Sequence, residues 1–367
     1  MNLKKLKKSI VLTLAAGCCS LPLSFSAVPV PTSEASILGV LISSGIQYAQ
    51  LEQSINYYNN DEKGRQEFFQ QIQKKYGVNE DATLNNRLNN IMGNLTTAIT
   101  VVDPSIQKKP YNYFINKETS FNAFCTLGHN MSVNTGLFSL IHSDDEIAVV
   151  LGHEMGHGQK DHPAKGIRKS IPIDVIAAVF ADSQGTYAGA LGATVFANYA
   201  TALQVTKPQE WEADNLAFDY ITHSNYNPGA CAAIWQRVIE KQKDNSQDFV
   251  GEIFSPSDHP SNEQRRDNYA KKLAAFSQNK VTVKDGLVKV NGKDFISPAA
   301  TADMSTAERA YFVAGNLAAV YHNAKKEIPT ATVSDSGVLM VANQPIISPQ
   351  AKDPSADELA ARLNRIK

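Results

Sequence analysis

The stretch His153-Glu154-Met155-Gly156-His157 constrains this chain more than any other, because two histidines four residues apart converge on one point only if the backbone between them is helical. On a helix, positions i and i+4 share a face, so both imidazoles reach one metal ion while Glu154 faces the same cavity. The residues upstream supply that helix. Ser143 is a suitable N-cap, Asp144, Asp145 and Glu146 suit the positive first turn, and Ile147, Val149, Val150 and Leu151 begin an apolar run into the motif.

Two histidines are too few for a catalytic zinc, which takes three protein ligands and leaves a position for water. Some zinc peptidases place a third histidine six residues after the second; here Pro163 stands there and His162 falls one residue short, which argues against the metzincin arrangement. A helix expected over residues 207–224 carries Glu210-Trp211-Glu212-Ala213-Asp214, with Glu210 and Asp214 one turn apart. One carboxylate would bind metal while the other orients a histidine. Without the upstream motif, such a cluster would read as a solvated helix face.

The 35 basic and 36 acidic side chains nearly cancel, leaving a net charge of -1, so nothing points to nucleic acid. The 367 residues suit one large domain plus a smaller appendage. Residues 1–27 read as a signal peptide: Lys4, Lys5, Lys7 and Lys8, an apolar run over 10–16, then small residues around Ser24, Ser26 and Ala27. Leu14-Ala15-Ala16-Gly17-Cys18 is close to a lipoprotein cleavage box, which leaves a lipid anchor at Cys18 open. Of the remaining cysteines, Cys125 and Cys231, free buried thiols are expected.

Helical spacing predicts one helix over residues 37–75 and another over 82–99, broken at Asp103-Pro104. Residues 111–114 and 121–133 read as short strands. The Ala- and Gly-rich stretch 171–203 reads as a packed helical hairpin, since Asp174, Asp182, Gln184 and Asn198 interrupt it as a membrane span. Beyond residue 280 two similar units follow. In both, a glycine (Gly286, Gly337) precedes Ser-Pro by eleven residues, and each reads as two strands around a turn and then a helix, over 306–323 and 356–366.

Three matches make the chain resemble the zinc metalloendopeptidases that include the eukaryotic CAAX prenyl protease, the mitochondrial stress protease and the bacterial β-barrel assembly-enhancing protease. Asn122-Ala123-Phe124 with Asn134-Thr135-Gly136-Leu137 resembles the edge strand and turn before the motif helix, Asp145 to Glu154 resembles the approach to HExxH, and Glu210 to Asp214 resembles the ExxxD ligand helix. The likeness covers residues 50–270, and the combination is far more specific than HExxH alone. It implies a gluzincin site: one zinc per chain on His153, His157 and Glu210, Glu154 as base, and Asp214 orienting a ligand. It also implies that His259, in His259-Pro260, caps the open zinc position at rest or stabilises the oxyanion together with Arg265, and that the strand at Asn122 and Ala123 binds extended substrate. The chain departs from its relatives in lacking clear transmembrane pairs and 34-residue helical repeats.

The expected fold is α+β: a mainly helical zincin-type domain with a small sheet over 28–275, then a small C-terminal domain over 280–367 of two strand-strand-helix units. The expected activity is zinc-dependent hydrolysis of proteins or peptides, misfolded envelope proteins among them, in the bacterial periplasm or cell envelope, with peripheral or lipid-anchored membrane association open. The rival is an envelope chaperone or assembly factor with structural zinc, against which Glu154 counts, because a structural site needs no base.

Overall fold

In the computed structural model of the chain, the described residues are 49, 51–170, 205–243, 260–324 and 327–367. The proposed signal segment with Cys18, the 171–203 stretch and His259 lie outside them.

Of the first long helical pattern, residues 37–48 lie outside the described ones, and the described part breaks at Asp61. Helix α1 runs over residues 51–60, and Asp61 then leaves the helix to cap α2 (Glu62–Tyr76), its carboxylate accepting from Gly64 N at 3.0 Å. The turn is so tight that a Cβ on Gly64 would lie 2.2 Å from the Tyr57 carbonyl oxygen. Helix α3 (Ala82–Val102) buries Leu88, Ile91, Met92 and Leu95 and ends at Asp103, whose side chain caps the following 3-10 turn Pro104–Gln107.

Strands β1 (Asn112–Asn116), β2 (Ala123–Thr126) and β3 (Asn130–Asn134) form a sheet in the order β1-β3-β2, with β3 parallel to β1 and antiparallel to β2. The 121–133 segment doubles back because Gly128 and His129 both take positive φ, 73° and 55°. That reversal leaves β2 at the sheet edge, beside the helix that follows.

After α4 (Thr135–Leu140) comes α5 (Asp144–Gln159), capped by Ser143 and buried at every residue from Glu146 to Gly158. A helix enclosed on all sides shows no amphipathic stripe, which is why its signal in sequence is the cap and the motif. Its C-terminal residues lead through Asp161, with φ 50°, into α6 (His162–Ser170). Helices α7 (Lys207–Thr222), α8 (Ala230–Lys243) and α9 (Asn262–Phe276) complete the layer around it. Cys125 and Cys231 are buried, and the two do not form a disulfide with each other. Among the described residues, no helix is long and apolar enough to cross a membrane.

Each C-terminal unit carries three antiparallel strands where two were expected. The first is β4 (Val281–Lys284), β5 (Leu287–Val290), β6 (Lys293–Ile296) and α10 (Thr306–Asn323); the second is β7 (Ala331–Val333), β8 (Leu339–Val341), β9 (Gln344–Ile347) and α11 (Ala356–Ile366). The extra strand follows a second reversal at Asn291-Gly292, where both residues take positive φ (50° and 76°), the backbone that a two-residue hairpin needs. Both units place a bulge two residues after the turn glycine, at Val288/Lys289 and Leu339/Met340. Helix α10 packs on β4, β5 and β9 and α11 on β7, β8 and β6, so each helix touches its own sheet and the last strand of the other unit. One apolar core runs from Leu88 through the α5 residues to Leu363. The architecture is α+β and mainly helical, with small three-stranded sheets.

The join between these units and the motif helix is polar and buried. Arg237 of α8 donates to both oxygens of Glu146, each at 3.1 Å, and its Nε lies 3.2 Å from Glu308 of α10. Asn227 N donates to Asp145 at 2.9 Å, while Asn227 Nδ2 donates to Phe312 O and Asn316 Oδ1 at 3.0 Å. The first turn of α5 is thereby tied to α10.

Candidate metal centre

Helix α5 presents His153 and His157 one turn apart, their rings nearly perpendicular at 85° and their Nε2 atoms 3.0 Å from each other. Helix α7 crosses α5 where small residues meet: Gly152 and Gly156 face Ala217 and Ala213, and a Cβ on Gly156 would lie 3.2 Å from Ala213 Cα. This close crossing brings Glu210, in the first turn of α7, to the histidines. Its Oε1 lies 3.4 Å from His157 Nε2 and its Oε2 3.6 Å from His153 Nε2. Donor atoms of His153, His157 and Glu210, all buried, fall within 4.8 Å of one another, and among the described residues this is the group that could hold a metal ion. Two imidazole nitrogens and one carboxylate oxygen are the protein donor set of a catalytic zinc, whose fourth position goes to water.

Both histidines are engaged on their far side. His153 Nδ1 lies 3.0 Å from Asp214 Oδ1, and His157 Nδ1 lies 2.8 Å from His162 Nδ1. Asp214, one turn after Glu210 and fully buried, also accepts from Tyr269 at 3.0 Å and from Arg265 Nε at 2.7 Å, with Arg265 Nη2 on its other oxygen. Burial opposes the Asp214 charge, but Arg265 and His153 together hold its carboxyl below the ordinary range. Arg265 is 1% exposed and stacks on the Trp235 ring at 3.6 Å, with Nη1 3.6 Å from Glu210 Oε2. Arg265 thus sits behind the ligands, against Glu210 and Asp214.

Glu154 turns from α5 toward the edge strand, where its Oε2 accepts from Cys125 N at 3.1 Å. Burial pushes its carboxyl up, against the pull of His153 and His157. Because Cys125 pairs with Met131 of β3 and its amide meets Glu154, the outer edge of β2 faces the site, with Ala123 at its start. Asn122 O accepts from Asn134 N at 2.9 Å, which anchors the entry into that strand.

Two residues at the centre escaped the reading of the sequence. His162 stood out only as a histidine one place short of a metal-ligand position, and Glu212 only as part of an acidic cluster. In the folded chain His162 Nε2 lies 3.1 Å from Glu212 Oε2, and burial next to His157 takes the His162 imidazole down to about 4.

A profile of peptidase family M48 matches residues 84–272. The metalloprotease LoiP of Escherichia coli is 26% identical over 184 residues, which span 49% of this chain and 70% of that protein. The mitochondrial metalloendopeptidase OMA1 of Arabidopsis thaliana is 27% identical over 157 residues, 42% of this chain and 30% of its own length. The β-barrel assembly-enhancing protease of Escherichia coli is 23% identical over 145 residues, 37% of this chain and 30% of its own length.

Proposed function

The chain belongs to peptidase family M48 and is a metalloendopeptidase, and from that premise we propose that it hydrolyses protein substrates with one zinc ion held by His153, His157 and Glu210. The observation that carries the assignment is the convergence of two Nε2 atoms and a buried carboxylate, with Nδ1 of each histidine already committed elsewhere. Zinc bound there would supply Lewis acidity, bringing the pKa of water toward neutrality and polarising the scissile carbonyl.

The rest falls to side chains. Glu154, in reach of the same cavity and raised by burial, takes the proton of the attacking water and delivers it to the leaving amine. Asp214 orients His153, and Arg265 holds Asp214 and Glu210 in place. For Arg265 this position favours support of the ligands over the contact with the oxyanion that the family resemblance implied, and His259 is assigned the open coordination position or the oxyanion. An extended substrate would add along the outer edge of β2 at Asn122 and Ala123, which brings its backbone past Glu154.

We place the activity in a bacterial envelope, on misfolded envelope proteins. The lysine-flanked apolar segment over 10–16 supports export, and the name of the β-barrel assembly-enhancing protease supports the compartment. The test compares casein cleavage by the purified mature chain with that of Glu154→Gln, after metal analysis of both. Zinc in both proteins, with cleavage lost only in the variant, is expected. Zinc in both with cleavage in neither would call for His259→Ala to free a closed site, and continued silence there would replace the peptidase reading with that of a zinc-holding assembly factor.

A further inference from the structure

His157 faces the metal position with Nε2, so its Nδ1 must carry the ring proton when it serves as a ligand. Among the described residues that proton is directed at His162 Nδ1, 2.8 Å away and buried. His162 must then accept at Nδ1 and carry its own proton on Nε2, which lies 3.1 Å from Glu212 Oε2. The two hydrogen bonds run in one direction, from the ligand through a neutral imidazole to a carboxylate whose side chain is 44% exposed.

The backbone is shaped to make this contact. Helix α5 ends, Asp161 takes φ 50°, and α6 restarts at His162, so that the ring folds back under His157. Asp161 itself is held by Asn59 Nδ2 at 3.1 Å and by Lys109 Nζ at 3.4 Å. Glu212 comes from α7, the helix that supplies Glu210.

We propose that His162 and Glu212 are positioning residues for the metal site, fixing the tautomer and ring orientation of His157 as Asp214 does for His153. This rests on the assignment of His157 as a ligand. With Asp214 acting on one histidine and His162 on the other, both rings are fixed before metal arrives, which lowers the ordering cost of binding it.

The test measures zinc dissociation constants by competition with a chromogenic chelator, and thermal denaturation of the metal-free proteins reports on folding. His162→Leu, which has no acceptor for His157, should weaken zinc binding by about 10- to 100-fold. His162→Gln, whose amide oxygen accepts from His157 while its amide nitrogen donates to Glu212, should recover most of that loss. Glu212→Ala, at a half-exposed position that leaves the fold intact, should weaken binding by a smaller factor, and Glu212→Gln should restore it. Wild-type affinity in His162→Leu, or equal losses in His162→Leu and His162→Gln, would overturn the proposal. An unsubstituted chain that binds no zinc would overturn the metal site and this inference with it.

Discussion

The crossing of α5 and α7 makes a sharp prediction about two glycines one turn apart. A Cβ on Gly152 would meet Ala217 Cα and Leu95 Cδ2 at 3.8 Å, ordinary contact. A Cβ on Gly156 would meet Ala213 Cα and Ala213 O at 3.2 Å, so the backbone of α7 itself must give way. Replacing glycine by alanine inside a helix favours the helix by about 1 kcal/mol. Gly152→Ala should therefore be neutral or more stable by up to about 1 kcal/mol, while at Gly156 overpacking of about 1–3 kcal/mol offsets or exceeds the same gain. The functional split should be larger, because Ala213 is one turn from Glu210 and a shift of α7 there moves the carboxylate away from His153 and His157. Zinc–oxygen bonds span only about 2.0–2.2 Å, and a displacement approaching 1 Å costs on the order of 100-fold in rate. Gly156→Val, bulkier still, should lose both zinc affinity and casein cleavage, Gly156→Ala should lose part of each, and Gly152→Ala should keep both. Urea denaturation of the metal-free proteins, zinc titration and initial cleavage rates read the three quantities. Equal zinc affinity in Gly156→Val and Gly152→Ala would refute the claim that this crossing sets the ligand distance.

Three further outcomes follow from buried contacts elsewhere. Burial raises the Glu308 carboxyl from 4.5 to about 7, so the folded chain keeps a proton that the unfolded chain releases, and stability falls as pH rises through that window. In Glu308→Gln, which retains the capping box of α10, that fall should shrink by about 1–3 kcal/mol; an unchanged profile of unfolding free energy against pH between 4.5 and 7 would contradict it. Removing Arg265 leaves Asp214 buried without its guanidinium and should cost about 3–5 kcal/mol, with Arg265→Met and Asp214→Asn strongly non-additive in urea unfolding; simple additivity would exclude a direct pair. Gly64→Ala should destabilise by at least about 2 kcal/mol, since its Cβ would fall 2.2 Å from Tyr57 O, whereas Gly93→Ala in α3 meets nothing within 4 Å and should be neutral or stabilising by thermal denaturation.

What could be read from the sequence was what local chemistry dictates. Helix α5 begins where Ser143 and three acids mark it, and α10 and α11 span 306–323 and 356–366 as expected, because Ser305 with Glu308 and Ser355 with Glu358 form capping boxes. The third member of the metal group came from the turn spacing of Glu210 and Asp214 together with the family likeness. Features that depend on distant partners stayed hidden. Asp61 looks like any surface residue of a continuing helix until its carboxylate is seen turned onto Gly64 N. The third strand of the first unit follows the reversal at Asn291-Gly292, which was not separated from the one at Gly286, and that of the second unit follows Ala342, which carries no turn signal of its own. Arg265 is a charged side chain that composition alone would place outside, and only Trp235 and two carboxylates explain its burial. His162 needed the left-handed Asp161 to become a neighbour of His157 at all.

The bridge from Glu146 through Arg237 to Glu308 also orders events in time. A chain that emerges from its amino end presents His153, His157 and Glu210 well before Glu308 and the helix that carries it. Until then the start of the motif helix lacks the Arg237–Glu308 link and the contacts of Asn227 with Phe312 and Asn316. A chain interrupted after residue 276 would hold all three metal-binding side chains and yet lack the brace that settles the helix presenting two of them. The brace on the first turn of the motif helix therefore closes only when α10, more than a hundred residues further along the chain, has folded against it.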